Sequence, residues 1–420
     1  MKYGVLVVTP VSQEKDRAFA NLGDMVQTEA ILYIYEQMGI NADDIVKIDL
    51  KEVNDYAGEY LILPININLS LNWIIDIFPM SSHIIPVFLG LSYFSAQKFP
   101  DKVRAYFKMY EPIGCRDEFT MRTMHQNNIQ AYLYGCVTAL LPKREDKEGR
   151  NKIFFVDVPQ SFFDFMDDRM SKLEGDVNII SHISNDKEVC DIKYIEKITR
   201  QLLDDYKDNA KLVVTSRLHC MSPCMAMGIP VIPVTDNISP RMGWIDKFLD
   251  IYSTERYKEV DWRGQLIEYE DVKEKMLNIA MDKIRATREK YEQIVDLSYF
   301  YEVRKRGIYG NLYVNRLECL PQDRKEKFEY ILWGAGQIGM NVYNVISERY
   351  PNSKLRAVGD SYCTGEFYGV EIQKPDVLTK DTKEYILITT TSGEACAKEK
   401  LREIGKKENR DYMSMATTAG

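Results

Sequence analysis

The stretch that decides the fold is Lys211–Asp236, KLVVTSRLHCMSPCMAMGIPVIPVTD. Leu212-Val213-Val214 is the short β-branched run that a buried parallel strand requires. Thr215 and Ser216 follow as cap-type hydroxyls, and Met221, Met225 and Ala226 recur near helical spacing. Gly228 ends that helix, Pro230 forbids its continuation, and Val231-Ile232-Pro233-Val234 resumes the sheet. Strand, turn, helix and strand in this order make an α/β unit.

Arg217 and His219 sit at the turn. In open α/β sheets, ligands bind outside the carboxyl ends of strands, where helix N-termini direct their N–H groups. An arginine fork suits an anion, and an imidazole suits proton transfer. The bland alternative makes Arg217 a helix cap and His219 a satisfied interior histidine. The chain holds only four histidines, so one at such a turn favours function.

Outward from this stretch, 420 residues exceed one small core and imply two or three domains. A hydrophobic share of 45% and a charged share of 28% are those of a soluble globular chain. The net charge of −8, without a basic stripe interleaved with aromatics, argues against nucleic acid as partner. The start, MKYGVLVVTP, lacks a signal-peptide pattern, and the most apolar region, Trp73–Phe94, is broken by Asp76, Pro79, His83 and Pro86. A cytoplasmic protein is expected. The dispersed cysteines read as buried thiols; Cys220 and Cys224 beside His219 lack a second cluster to complete a metal site, so no metal is expected.

In chain order, Val5–Val8 is a first strand. Asn21-Leu22-Gly23-Asp24 then opens a helix running to Met38, with Ala30, Ile31, Ile34 and Tyr35 on one side. Gly23 would let the backbone approach a ligand, and Asp24 lies near the helix N-terminus or simply caps it. Strands follow at Tyr60–Leu63 and Ile84–Leu89. Cys115-Arg116-Asp117-Glu118-Phe119-Thr120 leads into a helix ending near Asn127-Asn128. An arginine at a helix start opposes the macrodipole unless an anion compensates it, so Arg116 is a site candidate, whereas Asp117 fits a cap. The charged run 143–151 is a linker. A second α/β half begins at Ile153–Val156, with a strand at Val177–Ser181 and a helix from Tyr194 to Tyr206. Arg241 stands at the start of a helix reaching Asp250, and a long helix, 271–297, packs along both halves. The domains are thus 1–145, 151–300 and 325–420.

The first 300 residues resemble the polysaccharide pyruvyl transferases. The resemblance rests on the ordered motifs NLGD at 21–24, CRDEFT at 115–120 and TSRLH…AxGxP across 215–230. It implies an α/β fold of two Rossmann-like halves facing a cleft, GT-B-like. It also implies transfer of pyruvate from phosphoenolpyruvate onto two hydroxyls of a cell-surface glycan, forming a ketal. On this reading His219 is the general acid/base, Arg217 and Arg116 bind the donor's anions, and Arg241 and Ser216 supplement that site. Asn21, Gly23 and Asp24 then contact the acceptor or order its loop. Members carry Gly-Asp where this chain has Gly135-Cys136, which leaves Cys136 without a role, and a lysine in the region of Arg241. The resemblance admits a lipid-linked acceptor at the membrane's inner face and a homo-oligomer. It requires no cofactor beyond the donor substrate.

After a junction at 322–327, Tyr330–Trp333 is a strand and Gly334-Ala335-Gly336-Gln337-Ile338-Gly339 opens a helix. Asp360 follows a second strand at about the 20-residue offset of a ribose-binding carboxylate. A further strand lies at Tyr385–Thr390. Gly334, Gly336, Gly339 and Asp360 therefore mark a small Rossmann-like domain for a nucleotide or nucleotide sugar, or one with a structural or docking role. The competing functions are a GT-B glycosyltransferase using a nucleotide sugar, an NAD-dependent sugar oxidoreductase and a non-catalytic assembly protein. For the oxidoreductase, the spacing Tyr350–Lys354 contains Pro351 and Asn352 and reads as a turn.

Overall fold

The computed structural model describes residues 1–10, 18–95, 97–294 and 327–416, with scattered positions between 297 and 324. The chain forms two compact units, residues 1–98 with 107–295, and residues 99–106 with 296–420. Among the described residues the first unit contains two large parallel sheets and a two-stranded antiparallel pair, and the second unit one sheet.

The first half runs β1 (Lys2–Val7), β2 (Ala20–Asn21), α1 (Leu22–Gln37), β3 (Ile45–Asp49), β4 (Leu61–Ile65), β5 (Asn68–Leu69), α2 (Leu71–Ile77), β6 (Ile84–Tyr93), β7 (Ile113–Cys115), α4 (Glu118–Gln126) and β8 (Ala131–Leu133), and α3 (Asp101–Met109), between β6 and β7 in the chain, belongs mostly to the second unit. Its parallel sheet has the order β3-β1-β4-β6-β7-β8, with β5 beside β6. Every residue of β4 and β6 is buried, as expected for strands covered on both faces. The strand order reverses between β1 and β4, so a crevice opens at their carboxyl ends, where α1 begins.

The second half repeats the plan with β9 (Lys152–Val156), α5 (Gln160–Met166), β10 (Asp176–Ile180), β11 (Ile183–Ser184), α6 (Ile192–Asn209), β12 (Ala210–Thr215), α7 (Leu218–Ala226), β13 (Val231–Thr235), β14 (Tyr252–Ser253) and α8 (Glu270–Glu292). The order β10-β9-β12-β13-β14, again parallel, reverses between β9 and β12. The residues that follow these two strands, Asp157 and Ser216-Arg217, therefore flank the second crevice.

Several contacts lock the halves together. β2 pairs antiparallel with β11, Asn21 opposite Ile183, and the Leu22 N–H donates to the His182 carbonyl at 2.8 Å. Arg200 on α6 meets Glu29 on α1 at 3.0 Å. Buried Lys273 of α8 donates to the Ala226 carbonyl in the second half, while the Tyr134 hydroxyl of the first half donates to the Met276 carbonyl. Helix α1 is buried on more than one side, including Met25, Val26, Gln27 and Thr28. The one-sided apolar stripe expected from the sequence is too narrow because α1 lies between two layers of the same unit.

Two sequence expectations need correction. The expected helix from Pro240 to Asp250 is instead two 3-10 turns, Pro240–Met242 and Ile245–Lys247, so Arg241 stands in a tight turn. The long helix spans Glu270–Glu292, and residues 295 and 296 of its expected end lie outside the described residues. Most of the expected 322–327 junction lies outside them as well.

The second unit contains β15 (Glu329–Trp333), α9 (Gln337–Arg349), β16 (Lys354–Gly359), β17 (Glu366–Phe367), β18 (Val370–Gln373), β19 (Tyr385–Ile388), α10 (Glu394–Glu403) and β20 (Tyr412–Ser414). Its order, β17-β18-β16-β15-β19-β20, is parallel apart from the β17–β18 hairpin. The fold is thus α/β, with two Rossmann-like halves facing a cleft and a small Rossmann-like module later in the chain. No described helix is long and apolar enough to cross a membrane.

Candidate functional site

The turn after β12 is shaped by its own sequence. Pro223 has no N–H to give the carbonyl of His219, four residues earlier, and its ring crowds that carbonyl. His219 accordingly leaves helical geometry, with φ −80° and ψ 15°. The expected hydroxyl caps do not form. Arg217 occupies the N-cap position, Thr215 Oγ1 accepts from the Arg217 N–H and donates to the Val156 carbonyl, and Ser216 Oγ donates to the Asp157 carbonyl at 2.6 Å. Both hydroxyls fasten β12 to β9.

Asp157 begins the opposite wall in the left-handed region, φ 47°. Its carboxylate accepts from Ser181 Oγ at 2.6 Å, the His182 N–H at 2.9 Å and Arg217 Nε at 2.9 Å. Burial opposes its ionisation, but those donors hold the carboxyl below its ordinary range. Arg217 is thereby aimed across the crevice with part of its fork exposed.

His219 and Arg116 meet from opposite halves. Arg116 follows β7, one residue before Asp117, which caps α4 by accepting from the Thr120 N–H. The Arg116 side chain is 1% exposed and donates from Nη1 to His219 Nε2 at 3.0 Å and to Gln27 Oε1 at 3.3 Å. Nε2 therefore acts as acceptor, and the ring proton resides on Nδ1. Burial depresses the pKa of His219 far below the ordinary imidazole value, with further contributions from Arg116, Arg241, His182 and Arg217. Arg116 Nε and Nη2 are buried without a hydrogen-bond partner.

The Asn21–Asp24 turn packs against this pair. Asn21 caps α1 by accepting from the Gly23 N–H and donates to Asp24 Oδ2 at 3.1 Å. A Cβ on Gly23 would lie 3.0 Å from His219 Cβ and 3.1 Å from Nδ1. The close approach read at Gly23 is thus to the His219 ring. Burial raises the pKa of the Asp24 carboxyl against the pull of Asn21, Arg116, Arg241 and Arg217. In Arg241, burial and Arg116 lower the guanidinium's proton affinity, and its buried Nε has no partner.

These residues enclose a cavity of about 310 Å³ lined by Asn21, Gly23, Asp157, Ser216, Arg217, His219 and Arg241, among others. His182 and Ser239 also line it, and the sequence reading missed both, along with Asp157. Asp157 and His182 follow the carboxyl ends of β9 and β10, which is where a topological reading could have found them. Arg116 and Asp24 are absent from the wall; Arg116 bonds to His219 and Asp24 to Asn21, which line it. Cys136 is buried, 3.0 Å from the Thr138 hydroxyl, and away from the cavity.

A family model described as polysaccharide pyruvyl transferase matches residues 21–237, just over half of the chain. The chain belongs to the polysaccharide pyruvyl transferase family. The matched span of this pyruvyl transferase-family chain begins at Asn21 and includes Arg116, Arg217 and His219. No curated protein matches at a significant level. A chain of "Crystal structure of accessory secretory protein 1,2 and 3 in Streptococcus pneumoniae" is 14% identical with TM-score 0.27. That alignment covers 63% of this chain and 58% of that one, so the present chain spans well under two thirds of its length, and the likeness carries no argument. Among the described residues, no group of His, Cys, Asp or Glu is arranged to hold a metal ion.

Outside the pyruvyl transferase match lies the glycine-rich turn. Gly334, φ 124°, faces the Thr389 carbonyl, and a Cβ on Gly339 would meet the Gly334 carbonyl at 2.4 Å, so both glycines serve packing of α9 on the turn. Gly336 faces open space. Asp360 accepts from the N–H groups of Ala335, Tyr362 and Cys363, holding the turn closed.

Proposed function

We propose that the chain is a pyruvyltransferase that moves pyruvate from phosphoenolpyruvate onto two hydroxyls of a glycan, forming a pyruvate ketal. The observation that carries this reading is Arg116, a fully buried guanidinium with two unpartnered nitrogens behind His219. Buried charges are ordinarily paired, so cationic demand left unmet beside a cavity calls for an anion. Arg241 adds a second unmet donor, and Arg217 is fixed by Asp157 on the cavity wall. A donor with carboxylate and phosphate groups fits this set.

Burial and then the neighbouring arginines depress His219; an anionic donor offsets the arginines, so its proton affinity rises in the complex. His219, protonated from solvent in that complex, returns to neutral imidazole as it gives the proton to the methylene carbon, and the double-bond electrons form the new C–H bond. An acceptor hydroxyl adds to the electron-poor C2, and its proton returns to His219. The bond from C2 to the phosphate oxygen breaks, and a second hydroxyl closes the ketal, its proton leaving with hydrogen phosphate. No electrons are gained or lost overall.

Calorimetric titration of the full chain with phosphoenolpyruvate, and separately with UDP-sugars and NAD, tests the reading. Binding of phosphoenolpyruvate that disappears in Arg241→Gln, with fold retained, is the expected result. Binding of a UDP-sugar in the 1–300 cleft without phosphoenolpyruvate binding would overturn it.

A further inference from the structure

The 3-10 turn Pro240–Met242 divides two cavities. Arg241 and Met242 line the arginine-rich cavity on one side, while Pro240 and Gly243 line a second cavity of about 560 Å³, and Ser239 belongs to both. The second cavity is built by both halves: Glu118, Phe119 and Arg122 come from α4, and Ile238, Asp246 and Lys247 from the segment after β13. Glu118 and Lys247 form an ion pair across it. The space therefore exists only when the two halves are docked.

Its chemistry differs from that of its neighbour. The carboxylates of Glu118 and Asp246 accept hydrogen bonds from hydroxyls, and Lys247 and Arg122 balance their charge, so this cavity lacks the excess of cations that its neighbour holds for an anion. Phe119 is partly exposed, and Ile238 is 56% exposed, so an aromatic and an aliphatic face look into a polar hollow. Carboxylates beside apolar faces complement a pyranose ring, whose hydroxyls donate around its edge and whose C–H groups present an apolar face. The volume falls within the ordinary range for small-molecule sites, roughly 300–1,000 Å³.

We propose that this second cavity receives a neutral pyranose ring of the acceptor glycan, delivering its hydroxyls past Ser239 to the arginine-rich cavity. The assignment rests on the pyruvyltransferase reading for the identity of the reaction, and on the cavity's own chemistry for its ligand. Anion and sugar are thus received on opposite sides of one turn. Asp246 and Phe119 contact the sugar, and neither belongs to the donor cavity.

The test uses the full chain with methyl β-D-galactoside, methyl β-D-glucoside and methyl β-D-mannoside as probes, in the presence of phosphoenolpyruvate. Saturation-transfer NMR is expected to detect at least one glycoside on the wild type. That signal should be lost or strongly reduced in Asp246→Asn and Phe119→Ala, because losing one hydroxyl–carboxylate bond weakens binding about tenfold or more. Calorimetric phosphoenolpyruvate affinity should be unchanged in both variants, which also reports that they fold. A glycoside signal that persists in both variants, or no signal from any probe on the wild type, would overturn the assignment. If the glycoside signal depends on Asp246 and Phe119 while phosphoenolpyruvate fails to bind, the cavity assignment stands and the donor reading falls.

Discussion

Replacing Arg116 with glutamine separates a functional cation from a structural one. The guanidinium is 1% exposed, and among the described residues its side-chain hydrogen-bond partners are the uncharged Gln27 and His219, at 3.3 and 3.0 Å. Removing it relieves a buried charge and its repulsion of Arg241, but takes a donor from each partner. Leaving a buried acceptor unsatisfied costs about 1–3 kcal/mol, which relief of desolvation offsets and the glutamine amide partly restores. The net change in stability should stay within about 2 kcal/mol, a shift in Tm of no more than about 4–8 °C for a unit of this size. Donor affinity behaves differently. Arg116 is not on the cavity wall, so it acts on a bound anion by its charge: at an effective dielectric of about 20 and a separation of about 8 Å this is roughly 2 kcal/mol, and phosphoenolpyruvate Kd should rise about 30-fold. Differential scanning calorimetry and isothermal titration on the same preparation read both quantities. Near-wild-type donor affinity in Arg116→Gln, or a collapse of stability well beyond that range, would refute the argument and make Arg116 a core cation.

Gly23→Ala should push the His219 ring, because the new methyl would sit 3.0–3.2 Å from His219 Cβ, Nδ1 and Asn21 Oδ1; kcat should fall more than donor affinity, and equal kcat would contradict the packing. The folded-state pKa of Asp157 is depressed, so the stability it contributes is present above about pH 3.9 and is lost as pH falls through the folded value. Urea melts should therefore separate wild type from Asp157→Asn at pH 7 and bring them together near pH 2. Asp360→Ala removes the acceptor of the Ala335, Tyr362 and Cys363 N–H groups, so thermal unfolding of the second unit should shift down, by a few °C or more, with phosphoenolpyruvate binding unaffected.

Local periodicity carried the strands and the strand–turn–helix at 211–236, because β-branched runs and glycine or proline breaks act within a few residues. It failed at Pro240–Asp250, where successive 3-10 turns follow from packing: buried Trp244 lies against Gly135, where a Cβ would come 2.4 Å from the indole. The role of Asp157 was hidden because one aspartate after a strand carries no local signal. Only strand order shows that β9 and β12 are neighbours.

The sequence alone determined that this chain is α/β, that Arg217 and His219 share a strand-to-helix turn, and which family's motifs it carries. Tertiary structure decided what those residues meet. Arg116 and His219 are joined by a hydrogen bond between halves, the sugar-sized cavity is divided from the arginine-rich one by a single turn, and α1 is buried between layers. The reason is range. Propensity and capping are settled within one helical turn, whereas burial and electrostatic coupling depend on segments far apart in the chain, brought together by strand order.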